Sequence, residues 1–211
     1  MSAEPRPSRP LLMTLRPGGA DDAALTQVAD ILAQAFLTDP YTLSTVPPTR
    51  RRQRLAERFA RMAQSCLHHG AVDMAVDPDD GTVLAAALWD GPEAPRGVSV
   101  PGLLAQAPWL LRVHGRRTLD QIRTDAACEQ ARPNEPHWYL KDLGTLPAAR
   151  GRGAASAIVR RRQRDAGGRG IYLESSTRAN VPFYEHLGLQ VLGDVPAPGA
   201  PEPLTGMWWA P

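Results

Sequence analysis

A turn rich in glycine and arginine, between a predicted strand and a predicted helix, is the part of the sequence best suited to hold a ligand. Backbone N–H groups at such a turn lie unpaired at the positive end of the helix dipole, an arrangement that binds phosphate or pyrophosphate. Glycine lets the backbone approach a ligand without a Cβ in the way, and alanine keeps the first helical turn thin. The residues that would form this site are Arg150, Gly151, Arg152, Gly153, Ala154 and Ala155.

The residues of this turn alone leave two other interpretations open. One is an ordinary strand-to-helix turn, because lone glycine motifs occur in many unrelated proteins. The other is a dinucleotide-binding turn of the form Gly-x-Gly-x-x-Gly, with Glu174 at a suitable distance to contact a ribose. Against a dinucleotide site, Ser156 stands where the third glycine would be, and too little chain follows to complete a doubly wound sheet.

Two motifs in this region resemble those of the GCN5-related N-acetyltransferase (GNAT) superfamily. The acyl-CoA signature of that superfamily, Gln/Arg-x-x-Gly-x-Gly/Ala, matches Arg150-x-x-Gly153-x-Ala155. The stretch from Tyr172 to Leu189 is similar to its Leu-Glu-Thr-Ser and Asn-x-x-x-Tyr-x-x-x-Gly-Phe segments, except that a leucine stands in place of the final phenylalanine. The two motifs occur in the right order, and one helix of suitable length joins them.

The resemblance extends loosely upstream, and it implies both a fold and an activity. Segments 87–89 and 132–140 are similar to puromycin N-acetyltransferases, and the match covers nearly all of the chain after Met13. It implies an α/β fold with a GNAT-type mixed sheet, a splayed central parallel strand pair and flanking helices. It also implies acetyl transfer from acetyl-CoA to a primary amine, which we expect on a small molecule such as an antibiotic or metabolite. Two alternatives are a protein N-terminal or lysine acetyltransferase and an inactive acyl-CoA sensor.

The resemblance also implies roles for individual residues. Tyr184 would be the general acid for the departing thiolate, because a thiol pKa of about 8.5 and a phenol pKa of about 10 permit proton transfer. A core aromatic role beside Phe183 is the alternative. Asn180 would either bind the cofactor or cap its helix. Together with the glycine-rich turn, the residues expected to bind acetyl-CoA are Leu143, Gly144, Thr145, Asn180 and Phe183.

A general base is harder to identify from the sequence. Glu174 lies in a predicted strand beside the expected cleft, and it could deprotonate the amine directly or through water. A strand carboxylate paired with an arginine is the alternative interpretation. His137 and Tyr139 share one face of the preceding strand by alternation, so either could line the acceptor site.

Hydrophobic periodicity predicts the elements that would position these residues. The expected strands are 11–15, 72–76, 83–89, 137–143 and 171–175, with two closing strands around Val191 and at 204–209. The expected helices start at Asp21 or Asp22 and end near Asp39, follow Pro48, occupy two parts of 91–133, and cover 154–166 and 180–187. In the first part of 91–133, Leu104 and Leu111 belong to the predicted apolar stripe. This order predicts a mixed α/β domain in which a helix joins a central parallel pair.

Length and composition favour one domain, 11–211, behind a disordered leader, 1–10. The net charge of +2 gives no reason to expect a nucleic-acid partner, and the arginine run at 160–164 is interpreted as a solvated helix face. No apolar run reaches the roughly 20 residues of a membrane span. Cys66 and Cys128 are expected to be buried free thiols in a reducing cytoplasm, and no metal site is expected. Monomer and homodimer both remain open.

Overall fold

The computed structural model describes residues 9–15, 22–97 and 99–211. Residues 1–8 of the predicted leader and the candidate helix cap Asp21 lie outside this part of the chain. Within it, seven strands form one sheet in the order β1-β2-β3-β4-β5-β7-β6. The strands are β1 Leu11–Leu15, β2 Gly70–Val76, β3 Val83–Asp90, β4 His137–Thr145, β5 Gly170–Ser175, β6 Gln190–Val195 and β7 Leu204–Trp209.

Seven α-helices accompany the sheet in the described residues. They are α1 Asp22–Ala35, α2 Pro40–Thr45, α3 Arg51–His69, α4 Val100–His114, α5 Thr118–Ala131, α6 Ala154–Asp165 and α7 Val181–His186. The short helix α2 was not predicted, because the pair Asp39-Pro40 was interpreted only as the end of α1. Instead Asp39 caps α2 by accepting a hydrogen bond from the N–H of Thr42, and Pro40 takes the first helical position, where its missing N–H costs nothing.

The central strands β4 and β5 run parallel and then separate. Their ladder extends from the pair His137 and Gly170 to the pair Leu140 and Leu173, while β4 continues to Thr145. All other strand pairs in the described sheet are antiparallel. The predicted fold, with a splayed parallel pair joined by a helix, is therefore confirmed.

An irregularity in β4 changes which side chains face the helices. Opposite β3, Leu88 pairs with Asp142 and Trp89 pairs with Leu140, so the register shifts between them. Such a bulge leaves an extra residue in one strand and re-aims its side chains. Here the extra residue is Lys141, whose Nζ lies 3.0 Å from the carboxylate of Asp90.

Helices cover both faces of the sheet and enclose two apolar clusters. On one face α1 and α3 bury residues such as Val28, Leu32 and Phe59. On the other face α6 and α7 pack on the sheet around residues such as Trp89 and Ile158. This three-layer arrangement packs β4 and β5 between helices on both sides, and the gap between their ends lies inside that packing.

The predicted apolar stripe of α4 was wrong in part. Leu110 and Val113 are buried, whereas Leu104 and Leu111 are 69% and 57% exposed. Helix α4 packs on α3 and α5, and it carries apolar residues on more faces than those two neighbours cover. Periodicity alone therefore did not determine the inward face.

The arginine run in α6 also departs from the prediction of a solvated face. Arg160 and Arg164 are exposed, but Arg162 is buried, and its Nη2 lies 2.7 Å from a carboxylate oxygen of Asp73, also buried. The Arg162 guanidinium lies 4.2 Å from the ring centroid of Trp138. A helix carrying four arginines over one and a half turns must turn one of them toward the sheet, and Asp73 supplies the charge that makes this possible.

Both cysteines are free thiols, as predicted. Cys66 is buried, whereas Cys128 is only partly buried, which corrects the expectation for that residue. Within the described ranges, no group of three His, Cys, Asp or Glu side chains could hold a metal ion. The helices of the same ranges are all too short or too polar to cross a bilayer.

Candidate active site

A cavity of about 710 Å³ opens where β4 and β5 separate. The N-terminus of α6 and the helix α7 form one wall, and α2 and α5 contribute to the opposite wall. Every predicted site residue except Arg152 lines it. Those residues are Leu143, Gly144, Thr145, Arg150, Gly151, Gly153, Ala154, Ala155, Glu174, Asn180, Phe183 and Tyr184.

The side chain of Arg152 points elsewhere. Its Nη2 lies 2.7 Å from a carboxylate oxygen of Asp77, in the turn that follows β2. A hydrogen bond from the backbone N–H of Asp79 and the Arg152 guanidinium lower the pKa of Asp77. Arg152 therefore anchors the glycine-rich turn to the sheet, while the exposed Arg150 is the arginine of this turn that lines the cavity.

The turn before α6 presents a row of unpaired backbone donors. Gly151 and Gly153 both have φ +79°, a conformation that strongly favours glycine. A Cβ at either position would meet nothing within 4 Å. The first N–H of α6 to bond back is that of Ala157, to the Gly153 carbonyl at 2.9 Å. Among the described residues, no backbone acceptor serves the N–H groups of Gly151, Gly153, Ala154, Ala155 and Ser156.

Beyond the ladder, alternate N–H groups of β4 face the gap. The N–H of Leu146 donates to a β3 carbonyl at 2.9 Å. Because N–H direction alternates along a strand, the N–H of Gly144 also points to β3, whereas those of Leu143 and Thr145 point toward the gap. A Cβ on Gly144 would lie 2.8 Å from the Cβ of Ala35, so glycine here lets α1 approach β4.

Glu174 lies in the cavity wall without a cationic partner. The hydroxyl of Tyr139 donates a hydrogen bond of 2.7 Å to its Oε2, and Oε1 is buried with no hydrogen-bond partner in the described part of the chain. Among the described residues, no arginine or lysine nitrogen lies within 4.0 Å of it, which argues against the arginine-paired interpretation. Burial raises the pKa of Glu174 to about 7, so the carboxyl group can gain or lose a proton near neutral pH.

Tyr184 presents a free hydroxyl to the cavity. Its ring packs edge-on against Phe183, with 5.0 Å between centroids, and its hydroxyl makes no hydrogen bond with the rest of the described chain. Burial and the charge of Asp142 raise the pKa of Tyr184 above its ordinary value. The phenol is therefore protonated throughout the range in which the protein would work.

Asn180 and His137, whose roles the sequence left open, occupy different positions. Asn180 precedes α7 but its side chain makes no capping hydrogen bond, and it lines the cavity. His137 is buried, its Nδ1 lies 2.7 Å from the Glu135 carbonyl oxygen, and its ring packs against Trp208. Of the two residues proposed from strand alternation, only Tyr139 lines the cavity.

The wall formed by α2 and α5 contains polar residues that the sequence did not identify as site residues. The hydroxyl of Tyr41 donates to Gln121 at 3.0 Å, and the Gln121 amide donates to Asp125 at 2.8 Å. Asp39, besides capping α2, accepts a hydrogen bond from Ser176 after β5 at 2.9 Å. No sequence motif identifies this set, because α2, α5 and β5 meet only in the folded chain.

Comparison with known proteins agrees with this geometry. The family model described as the acetyltransferase (GNAT) family matches residues 74–189, more than half of the chain. That range includes β4, the glycine-rich turn, α6, β5 and α7, so it contains the two strands that separate and the wall beside them.

Solved structures show the same fold over nearly the full chain. A protein described as histone acetyltransferase HPA2 and related acetyltransferase from Corynebacterium glutamicum is 28% identical, with a TM-score of 0.74 and 97% of each chain covered. Arylalkylamine N-acetyltransferase 2 from Aedes aegypti is 14% identical, with a TM-score of 0.64 and coverage of 94% of this chain and 98% of that one. The polyamine N-acetyltransferase of Drosophila melanogaster is 16% identical, with a TM-score of 0.59 and coverage of 95% and 100%.

Proposed function

The chain belongs to the acetyltransferase (GNAT) family, and we propose that it transfers an acetyl group from acetyl-CoA to a primary amine of a small molecule. The observation that carries this proposal is the cavity between β4 and β5. There a carboxyl group with a pKa of about 7 and a protonated tyrosine line the same space. A proton acceptor and a proton donor in one cleft are what amine acylation requires.

The glycine-rich turn fits the pyrophosphate of acetyl-CoA. Five N–H groups at the start of α6 have no backbone acceptor among the described residues and would bind the anion, and the positive charge of Arg150 adds to the field of the helix dipole. The open space beside Gly151 and Gly153 leaves room for the phosphates. Leu143 and Thr145 would direct their N–H groups at the pantetheine arm and the thioester carbonyl, with Asn180 and Phe183 beside them.

Acetyl-CoA, when bound, supplies a thioester carbonyl carbon for attack and a thiolate as the leaving group. Glu174 would take a proton from the incoming ammonium group, directly or through water, and so expose the nitrogen lone pair. As the C–N bond forms and the C–S bond breaks, the Tyr184 hydroxyl would give its proton to the sulfur. The second proton that the nitrogen loses on becoming an amide would pass to the Tyr184 oxygen, directly or through water, and so restore the phenol. The N–H groups of Leu143 and Thr145 would stabilise the negative charge that develops on the carbonyl oxygen.

The test is release of free thiol from acetyl-CoA with a panel of amines. The panel contains alkylamines, arylalkylamines, agmatine, puromycin, free amino acids and a histone-tail peptide. The alkylamines, arylalkylamines and agmatine are chosen from the names of the structural neighbours. Puromycin is chosen because of the sequence resemblance to puromycin N-acetyltransferases. Turnover of a small amine well above that of the peptide supports the proposal, and preference for the peptide indicates a lysine acetyltransferase. CoA binding without turnover of any amine would instead indicate a sensor.

The choice of donor is tested separately by thermal melting. Acetyl-CoA or CoA at about a hundred times its Kd should stabilise the fold by roughly 2.7 kcal/mol, whereas NAD and NADP should not. Stabilisation by NAD alone would favour the dinucleotide interpretation of the turn.

A further inference from the structure

The acceptor half of the cavity has more carboxylates than cations. The carboxylates that line it are Asp39, Asp125, Asp142 and Glu174, and the cations are Arg58 and Lys141. Both cations already face an acid: Lys141 lies 3.0 Å from Asp90, and Arg58 lies 3.9 Å from Asp142. The cations of the wall are thus engaged with Asp90 and Asp142, whereas within the described chain no arginine or lysine nitrogen lies within 4.0 Å of Asp39, Asp125 or Glu174.

Asp125 is the carboxylate best placed to bind a ligand. Its side chain is exposed to the cavity, and within the described chain no arginine or lysine nitrogen lies within 4.0 Å of it. Among the described residues, the only hydrogen bond to its carboxylate comes from the Gln121 amide, at 2.8 Å. Tyr41 donates to the oxygen of that amide at 3.0 Å, which fixes the direction of the amide N–H. The network holds one oxygen of Asp125 in place and leaves the other free.

Asp142 gives a second, independent indication that this wall can accept a hydrogen bond from a ligand, because Arg58 lies near its Oδ1 only. Its side chain is 7% exposed and lines the cavity. Its Oδ2 is buried and has no hydrogen-bond partner in the described chain. A buried carboxylate oxygen without a partner costs free energy comparable to a lost hydrogen bond to a charged group, and a donor entering from the cavity would remove this cost.

Asp125 and the proposed base line the same cavity, together with Cys128. Asp125 and Cys128 are three residues apart on α5, so their Cβ atoms lie about 5–6 Å apart. Burial raises the pKa of the Cys128 thiol, and the charges of both Glu174 and Asp125 raise it further. Cys128 is therefore near both carboxyl groups, and one small molecule in the cavity can meet both acids.

We propose that the acceptor is an amine with a second positively charged group a few bonds away. Glu174 would face the nitrogen that is acetylated, while Asp125 binds the second ammonium or guanidinium group and Asp142 supplies a further acceptor. This inference rests on the proposed function for the reaction, but the charged subsite is a separate claim. A charge-assisted hydrogen bond in a cleft is stronger than one in water, so the subsite would select dications over monoamines of equal length.

The test compares putrescine with butylamine, which has the same carbon chain and one amine. The parent should show kcat/KM for putrescine at least about tenfold above that for butylamine, the factor that about 1.4 kcal/mol provides. Asp125→Asn keeps the size of the side chain and removes its charge, so it should raise KM for putrescine far more than KM for butylamine. Asp120→Asn, on the same helix and paired at the surface with Arg117, is the matched control and should change neither.

Calorimetric binding of putrescine to the CoA-loaded protein separates the two proposals. If putrescine binds, Asp125→Asn weakens that binding and no amine is acetylated, the proposed function is contradicted and the subsite is upheld. Equal kcat/KM for the two amines in the parent, or an equal loss for both in Asp125→Asn, would overturn the subsite. Better use of a lysine peptide than of putrescine would also overturn it. Melting temperatures of both variants check that they remain folded.

Discussion

Glu174→Gln is the most direct test of the proposed base. The amide has nearly the size of the carboxyl group, and its oxygen can still accept the hydrogen bond of 2.7 Å that Tyr139 donates. It cannot take a proton from an amine. Since a positioned general base contributes about 10² to 10⁴ in rate, kcat should fall by that factor while the affinity for CoA stays nearly constant.

The pH dependence of kcat gives a second quantitative expectation for Glu174. Burial raises the pKa of Glu174 to about 7, so about a tenth of the molecules carry the base form at pH 6 and about nine tenths at pH 8. The parent kcat should therefore rise close to tenfold between these values and then level off. In Glu174→Gln this step should disappear, because the amide does not titrate.

Folding stability should change with pH in the opposite direction. A carboxyl group with a raised pKa in the folded protein holds its proton between about pH 4.5 and 7, where the unfolded chain has lost it. The unfolded state binds fewer protons in this window, so the contribution of Glu174 to stability falls as the pH rises. Relative to the parent, Glu174→Gln should be more stable at pH 8 than at pH 4.5.

The assay is thiol release from pH 5.5 to 9 with both substrates saturating, since kcat reports groups of the bound complex. Thermal melts of both proteins over the same pH range measure how the contribution of Glu174 to folding stability changes with pH. If the acidic limb persists unchanged in Glu174→Gln, or the activity falls less than about threefold, another group removes the proton.

Three further substitutions test the rest of the cleft. Tyr184→Phe should lower kcat by about 10² to 10⁴ with little change in CoA affinity, and an equal loss of affinity would assign the hydroxyl a structural role. Gly153→Val should abolish CoA binding measured by calorimetry, whereas Gly167→Val, at φ +63° but away from the cavity, should keep it and show only the backbone strain. Arg162→Met should cost about 3–5 kcal/mol in denaturant unfolding, because it leaves the buried carboxylate of Asp73 without its cationic partner; the exposed Arg164→Met should cost little.

The strands, the turn and the helix around the glycine-rich motif could be predicted from the sequence because they are local. Helix α6 was expected at 154–166 and spans Ala154–Asp165, and β5 was expected at 171–175 and spans Gly170–Ser175. Between β4 and β5 the chain passes directly through the turn and one helix. The strand, the turn with its unpaired N–H groups and the helix therefore follow one another in the sequence. A motif of about forty residues can therefore specify the whole arrangement.

The acceptor side could not be predicted, because contacts distant in sequence form it. Gln121 meets Tyr41 across 80 residues, and Asp39 meets Ser176 across 137. The orientation of Asp142 depends on the bulge in β4, for which alternation of polar and apolar residues gave no sign. Hydrophobic periodicity reports which face of an element is buried, but it does not report which polar side chains converge on a cleft.

The divergence of β4 and β5 explains why one short stretch contains two kinds of glycine. At Gly144 the strand has left β5, and α1 approaches it so closely that a Cβ would lie 2.8 Å from that of Ala35. At Gly153 the chain has turned away from the sheet, and a Cβ would meet nothing. Substitution at the first position should disturb the core whether or not a ligand is bound. Substitution at the second strains the backbone and otherwise matters only if something occupies the space, which is why Gly153 reports on the ligand and Gly144 on the fold.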